Sequence, residues 1–130
     1  MLNSSLQTAY SLGMQKITVA NIGSTGCTPS ELSTRSTSGS CVSSIQDLTM
    51  RFNAALKPMT EELQAELPGS TIVYIKSFSI VMNIINNAAS YITGYCSNRG
   101  DYMFWDSFHP TEDVNVLAHK QFMEGSLDVI

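Results

Sequence analysis

Apolar residues along this chain recur at two alternating spacings, and the alternation sets out the elements. Residues 2–12 read as a short helix running to Gly13. Lys16–Ile22 (KITVANI) is β-branched and apolar between Gly13 and Gly23, which predicts a buried strand. Residues 23–40 are rich in Gly, Ser and Thr and contain Pro29, which predicts a loop, with STRSTSGS its most flexible stretch. From Cys41 to Leu67 apolar residues return at helical spacing: Val42, Ile45, Leu48, Phe52, Leu56, Met59 and Leu63. Pro58 lies inside that stripe and predicts a kink or two abutting helices, because an internal proline costs about 3 kcal/mol. Pro68-Gly69 ends the helix, and Thr71–Ile75 (TIVYI) reads as a second strand. Ser77 or Ser79 is placed to cap a third helix reaching Ala89, with Phe78, Val81, Ile84 and Ile85 on one face. Residues 90–108 are irregular and aromatic. Pro110 suits the first turn of a final helix with Glu112 and Asp113 at its start, His119 and Lys120 toward its end, and Val114, Leu117, Ala118 and Phe122 as its buried stripe.

Helices alternating with strands imply an α/β layer fold with parallel strands and right-handed crossovers. Two strands make a poor sheet, since parallel strands want both faces covered and several neighbours. The pattern therefore reads as the end of a larger domain.

Composition narrows the class. With 130 residues, 43% hydrophobic and 14% charged, the chain is globular and long enough for one core. The net charge of −4 comes with scattered basic residues, which argues against a nucleic-acid partner. No apolar run approaches the roughly 20 residues of a membrane span. The start, MLNSSLQTAYSLGMQK, has neither the basic nor the continuous apolar region of a signal peptide, so the sequon Asn3-Ser4-Ser5 is expected to be inert. The cysteines Cys27, Cys41 and Cys96 have no metal-type spacing. Cys27 and Cys41 flank the flexible loop, and a bridge between them would be worth roughly 3 kcal/mol in an oxidising compartment.

The chemistry concentrates in Asp106-Ser107-Phe108-His109-Pro110. A histidine serves as general base when a carboxylate accepts its Nδ1 proton, fixing tautomer and orientation. Alone, Asp-x-x-His is a weak signal, equally read as a loop pair capping the last helix. His119 reads as a helix-end cation. A metal site from His109, Asp113 and His119 matches no familiar ligand spacing. Phe104, Trp105 and Phe108 read as lining for an acyl pocket or, more commonly for such residues, as core, with Trp105 packing to position the pair.

The surrounding residues give the pair its context. CSNRGDYMFWDSFHPTE, from Cys96 to Glu112, resembles the final block of plant-type GDSL esterases/lipases, of the SGNH hydrolase superfamily. YSLGMQKITVANIGSTGC (10–27), RFNAAL (51–56) and ELPGSTIVY (66–74) resemble other blocks of that family in the same order. The resemblance covers nearly the whole chain and implies one partial domain over residues 1–130, the C-terminal portion of a flavodoxin-like three-layer α/β/α fold with a short parallel sheet. It implies hydrolysis of lipid or other acyl esters through an acyl-serine, with no cofactor or metal. His109 matches the family's catalytic base and Asp106 its orienting acid. Family members are typically secreted.

The sequence departs from the family pattern as well. The Gly-Asp-Ser block that carries the nucleophile does not occur, nor do the Gly and Gly-x-Asn-Asp blocks of the oxyanion hole, nor a Gly-x-Ser-x-Gly. Ser24 follows a strand, but Gly23, Thr25 and Gly26 around it match a family loop without a nucleophile. Met1 falls at an interior helix of a full-length member. A longer Cys- and Gly-rich stretch is usual between Tyr91 and Cys96, and an Asp is usual where Lys76 stands. A truncated gene model, a splice form or a decaying copy fits these departures. The expectation is a chain inactive alone, or a non-catalytic remnant that self-associates through an exposed sheet edge.

Overall fold

The computed structural model describes residues 2–87 and 102–125, and the backbone of 127–129. Expectations that fall on Ala89, on the Tyr91–Cys96 stretch and on Cys96 itself lie outside the described residues. In chain order the elements are α1 (Leu2–Ser11), β1 (Lys16–Ala20), a 3-10 turn (Thr25–Cys27), α2 (Pro29–Arg35), α3 (Ser43–Glu66), β2 (Thr71–Ile75), α4 (Ser77–Asn86), α5 (Glu112–Met123) and β3 (Leu127–Val129).

β1 and β2 pair in parallel from Lys16↔Thr71 to Ala20↔Ile75. β3 lies on the far side of β2 and pairs with it antiparallel, Val73↔Val129 to Ile75↔Leu127. The result is the expected α/β arrangement in partial form, with one unexpected antiparallel strand. Three residues, LDV, offer no run or alternation from which a strand can be read.

The core lies on one side of this sheet. Ile17, Val19, Ile72 and Tyr74 point into a cluster with Leu56, Leu63 and Leu67, and Leu6, Tyr10 and Met59 pack at its margin. On the other side of β1, Lys16, Thr18 and Ala20 are exposed. Among the described residues the outer edge of β1 has no strand beside it either. The Thr71 N–H reaches the Gln15 carbonyl and the Asn21 N–H reaches the Ile75 carbonyl, so odd-numbered residues of β1 face β2 and even-numbered ones face outward. Just past the strand, the Asn53 side-chain amide takes over, donating to the Ile22 carbonyl at 2.8 Å and accepting the Ile22 N–H at 2.9 Å.

Helix α3 corrects the predicted stripe. It runs unbroken through Pro58, and its buried residues are Thr49, Leu56, Thr60 and Leu63, whereas Leu48 and Phe52 are exposed. The inward face is set partly by polar side chains with work to do there. Gln46 accepts the Gly26 N–H, Asn53 holds Ile22, and Gln64 accepts the Ile72 N–H at 2.6 Å while donating to the Ser70 carbonyl. A reading confined to apolar spacing rotates the helix toward Leu48 and Phe52.

The expected loop of residues 23–40 is also partly ordered. Pro29 opens α2, whose Glu31 and Arg35 pair at 3.2 Å one turn apart. The preceding 3-10 turn is pressed against the start of α3: a Cβ on Gly26 would meet the Val42 carbonyl oxygen at 2.6 Å. The Val42 N–H donates to the Gly26 carbonyl, and Cys27 and Cys41 form a disulfide.

A second cluster positions the site. Ile80 and Ile84 of α4 meet Val114 of α5, with Ile75, Met103, Leu117, Ala118 and Phe122 around them. α4 begins at Ser77 itself, so neither Ser77 nor Ser79 caps it from outside. The Asn21 side chain, arriving from the end of β1, accepts the Phe78 N–H at 2.9 Å and serves as cap beside Lys76. α5 starts two residues after Pro110, with Thr111 at its N-cap, because Pro110 is held in an antiparallel bridge to Phe104.

Candidate active site

That bridge makes residues 103–111 a small clasp. The Trp105 N–H donates to the His109 carbonyl at 3.0 Å, the Thr111 N–H to the Met103 carbonyl at 3.0 Å, and the Thr111 hydroxyl to the Tyr102 carbonyl at 2.7 Å. Thr111 is buried, and its double attachment fixes the start of α5 to the clasp. The Ser30 N–H on α2 donates to the Ser107 carbonyl at 3.2 Å, tying the tip to the disulfide-closed loop.

Asp106 closes the tip. One carboxylate oxygen, Oδ1, accepts the N–H groups of Phe108 and His109, both at 2.7 Å. The other, Oδ2, lies 2.7 Å from Nδ1 of His109. The short spacing is what allows this: the carboxylate caps its own turn and still reaches the ring three residues on. The backbone bonds from His109 and Phe108, and then the bond to the His109 ring, hold the Asp106 carboxyl down at about 2. An ionised partner on Nδ1 leaves Nε2 as the nitrogen from which the imidazole exchanges protons.

The sign of the pH dependence follows from that lowered value. Asp106 stays charged in the fold below its ordinary 3.8, so its bonds are complete above about pH 4 and are lost as pH falls through about 2. Amide shifts of Phe108 and His109 are expected to move together in that window in an acid titration. In Asp106→Asn that joint transition should vanish; its persistence would mean another group holds the turn.

The sequence brought Asp106 and His109 forward, and the structure brings them into contact. Trp105 is not a core residue, but it does pack against the pair as expected. Its side chain is 64% exposed, and its ring stacks on His109 at 5.6 Å between centroids with 23° between planes. Phe108 is exposed at 59%. Their positions follow from the hairpin, in which residues 105 and 109 stand opposite each other, a relation hidden until the Phe104–Pro110 bridge is seen. His119 is exposed on α5. Among the described residues no three His, Cys, Asp or Glu side chains gather as metal ligands, and no helix is long and apolar enough to cross a membrane.

Ser24 is buried and occupied. Its hydroxyl donates to Cys27 Sγ at 2.8 Å and accepts from Gln46 Nε2 at 2.7 Å. That arrangement belongs to the packing of the 3-10 turn on α3.

Comparison with known proteins finds relatives along most of the chain. GDSL esterase/lipase 7 of Arabidopsis thaliana is 30% identical over 96% of this chain. Two further GDSL esterases/lipases of the same plant are 32% and 33% identical over 90% and 89% of it. The matched region spans 42%, 41% and 38% of those relatives, so the chain corresponds to about two-fifths of their length. Residues 1–122 match the GDSL-like lipase/acylhydrolase family, so the chain belongs to that family.

Proposed function

We propose that these 130 residues carry the proton-transfer half of a carboxylester hydrolase and do not hydrolyse esters on their own. His109 is the general base and Asp106 the acid that orients it. The observation supporting this is the 2.7 Å bond from Asp106 Oδ2 to His109 Nδ1, on a carboxylate whose second oxygen is fixed by two backbone N–H groups. In ester hydrolysis a base so held takes the proton of an attacking hydroxyl and returns it to the leaving alcohol.

Proton transfer contributes about 10²–10⁴-fold, and only with a nucleophile in reach. The 130 residues contain no Gly-Asp-Ser, and Ser24 is buried in other bonds. Each missing oxyanion donor removes about 10²–10³-fold more. With p-nitrophenyl acetate or butyrate, the chain and His109→Ala are expected to give equal background rates. Saturable turnover that disappears in His109→Ala would overturn the inactivity and point to an unrecognised nucleophile or water site.

A second reading is favoured by the edge of β1, unpaired among the described residues, where Lys16, Thr18 and Ala20 turn both backbone and side chains outward. The occupant is a second copy, its β1 antiparallel across a two-fold axis through the edge. Light scattering after size exclusion should then show a dimer that Thr18→Pro abolishes, since proline is tolerated at an edge but cannot donate there. A monomer at every concentration removes this reading.

A further inference from the structure

The stretch between α2 and α3 stands apart from the rest of the described chain. Arg35 ends α2, and residues 36–40 (STSGS) follow without helix or strand, four of the five exposed. Their side chains bond within the loop. The Ser36 hydroxyl donates to the Ser40 carbonyl at 2.7 Å, and the Ser40 N–H donates to the Ser38 hydroxyl at 3.3 Å. The Arg35 side chain is 61% exposed and paired with Glu31 one turn back. An exposed pair of that kind adds little, and the last turn of a seven-residue helix opens readily.

The other basic residues sit differently. Lys16 opens β1, and Arg51, Lys57 and Lys120 lie within helices, with Pro58 directly after Lys57. The Lys76 carbonyl accepts the Ile80 N–H at the start of α4. Arg99 lies outside the described residues. Two covalent links join residues 1–35 to residues 36–130: the main chain itself and the Cys27–Cys41 bond. Around them, β1 pairs with β2, and Ile17 and Val19 pack among Leu56, Leu63 and Ile72.

We propose that Arg35–Ser36 is a processing site for a trypsin-like, arginine-specific protease, and that the cut leaves a folded two-chain molecule joined by Cys27–Cys41. Water adds across the peptide bond, leaving a carboxylate on Arg35 and an ammonium group on Ser36. Exposed loop tips of small and polar residues are where such cuts concentrate, and here the disulfide holds both ends of the loop. A closed loop restrains the unfolded chain only while both links are intact. Cutting the main chain therefore releases the same restraint as reducing the disulfide. Reduction converts Cys27 and Cys41 to thiols as an external dithiol is oxidised to its own disulfide. Either event alone leaves one molecule with the same loss of stability. Both together leave two molecules, and residues 1–35 then separate with β1 and with Ser30, whose N–H holds the Ser107 carbonyl beside the candidate base. The pair of links answers to a protease and a reductant in combination.

The test is limited trypsin digestion of the folded, oxidised chain in an Arg99→Gln background, which confines the digest to the basic residues placed above. A new N-terminus reading Ser36-Thr37-Ser38 is expected at least about tenfold faster than any other. The product should run as one species without thiol and as two with it. Arg35→Gln should abolish that N-terminus, and Arg35→Lys, still a trypsin site, should restore it. The clipped oxidised chain and the uncut reduced chain should melt together, each at a midpoint independent of protein concentration. Clipped and reduced, the pieces exchange an effective concentration of about 1 mM for that of the solution. At about 1 µM protein their association should weaken roughly a thousandfold, and the midpoint should fall with dilution. Absence of the Ser36 N-terminus before the chain unfolds, or its persistence in Arg35→Gln, would overturn the processing site. A clipped and reduced chain whose midpoint ignores concentration would overturn the paired-link device.

Discussion

Leu63→Ala is expected to cost about 3–5 kcal/mol, the upper range for a leucine emptied from a packed core. Leu63 is wholly buried and sits where α3 crosses the sheet, in the cluster that holds Ile17, Val19, Ile72 and Tyr74. Those four come from two hydrogen-bonded strands, which cannot close into the vacated space without breaking register. The Tyr10 hydroxyl, bonded to the Pro68 carbonyl at 2.7 Å, braces the same end of the cluster. Domains are typically stable by about 5–15 kcal/mol, so this one change removes a large fraction of the total. Urea unfolding of the two chains measures it through the shift in midpoint. The informative control is Leu48→Ala on the same helix, where the side chain is 64% exposed and the effect should stay within about 0.5 kcal/mol. Apolar spacing alone puts Leu48 and Leu63 on one stripe and predicts comparable losses. Equal losses would mean that the helix packs in the rotation the spacing implies.

The contrast between those two leucines shows what could be read in the chain. Local pattern placed β1 and β2 because their β-branched runs are bounded by glycines or by Pro68-Gly69. It placed α1, α3, α4 and α5 to within a few residues. The orientation of α3 was not legible because Gln46, Thr49, Asn53, Thr60 and Gln64 occupy its inward face. Their partners include backbone groups 6 to 31 residues away, the Ser24 and Thr25 hydroxyls, and carbonyls of the preceding helical turn. α2 was missed because Ser, Thr and Gly mask a seven-residue helix that depends on Pro29 and the neighbouring disulfide. At the site, Asp106 and His109 stood out through the resemblance of the block around them, and three residues of separation put their contact within local reach. That Trp105 packs on the pair was expected, whereas its stacked geometry on an exposed hairpin and the anchoring of Ser107 by Ser30 depend on the chain folding back.

Reduction of the Cys27–Cys41 bond is expected to cost about 3 kcal/mol and to lower the thermal midpoint by roughly 10 °C. The bond spans a sequence separation of 14, so its removal returns a loop of about 15 residues to the full freedom of the unfolded chain. Native contacts add to the case. Cys27 is buried against the Ser24 hydroxyl, and Gly26 fits beneath the Val42 carbonyl only while the 3-10 turn is held against α3. The comparison is between the oxidised chain, the same chain in excess thiol, and Cys41→Ser. The first should melt highest, the other two should agree, and thiol should leave Cys41→Ser unchanged. An oxidised and a reduced chain with the same midpoint would remove the bond from the account of stability. The effect should also reach the site. Thr25 on that turn and Ser24 and Thr28 at its two ends line an apolar hollow with Val81, Ile84 and Phe108, and the Ser30 N–H, just after it, donates to the Ser107 carbonyl. Reduction should therefore loosen the Asp106–His109 loop below the global melt, seen as faster hydrogen exchange at Ser30 and His109. Such bonds persist in oxidising compartments and are rare in reducing ones. The geometry of the candidate base is thus tied to the redox state of its surroundings through a loop that does not itself touch His109.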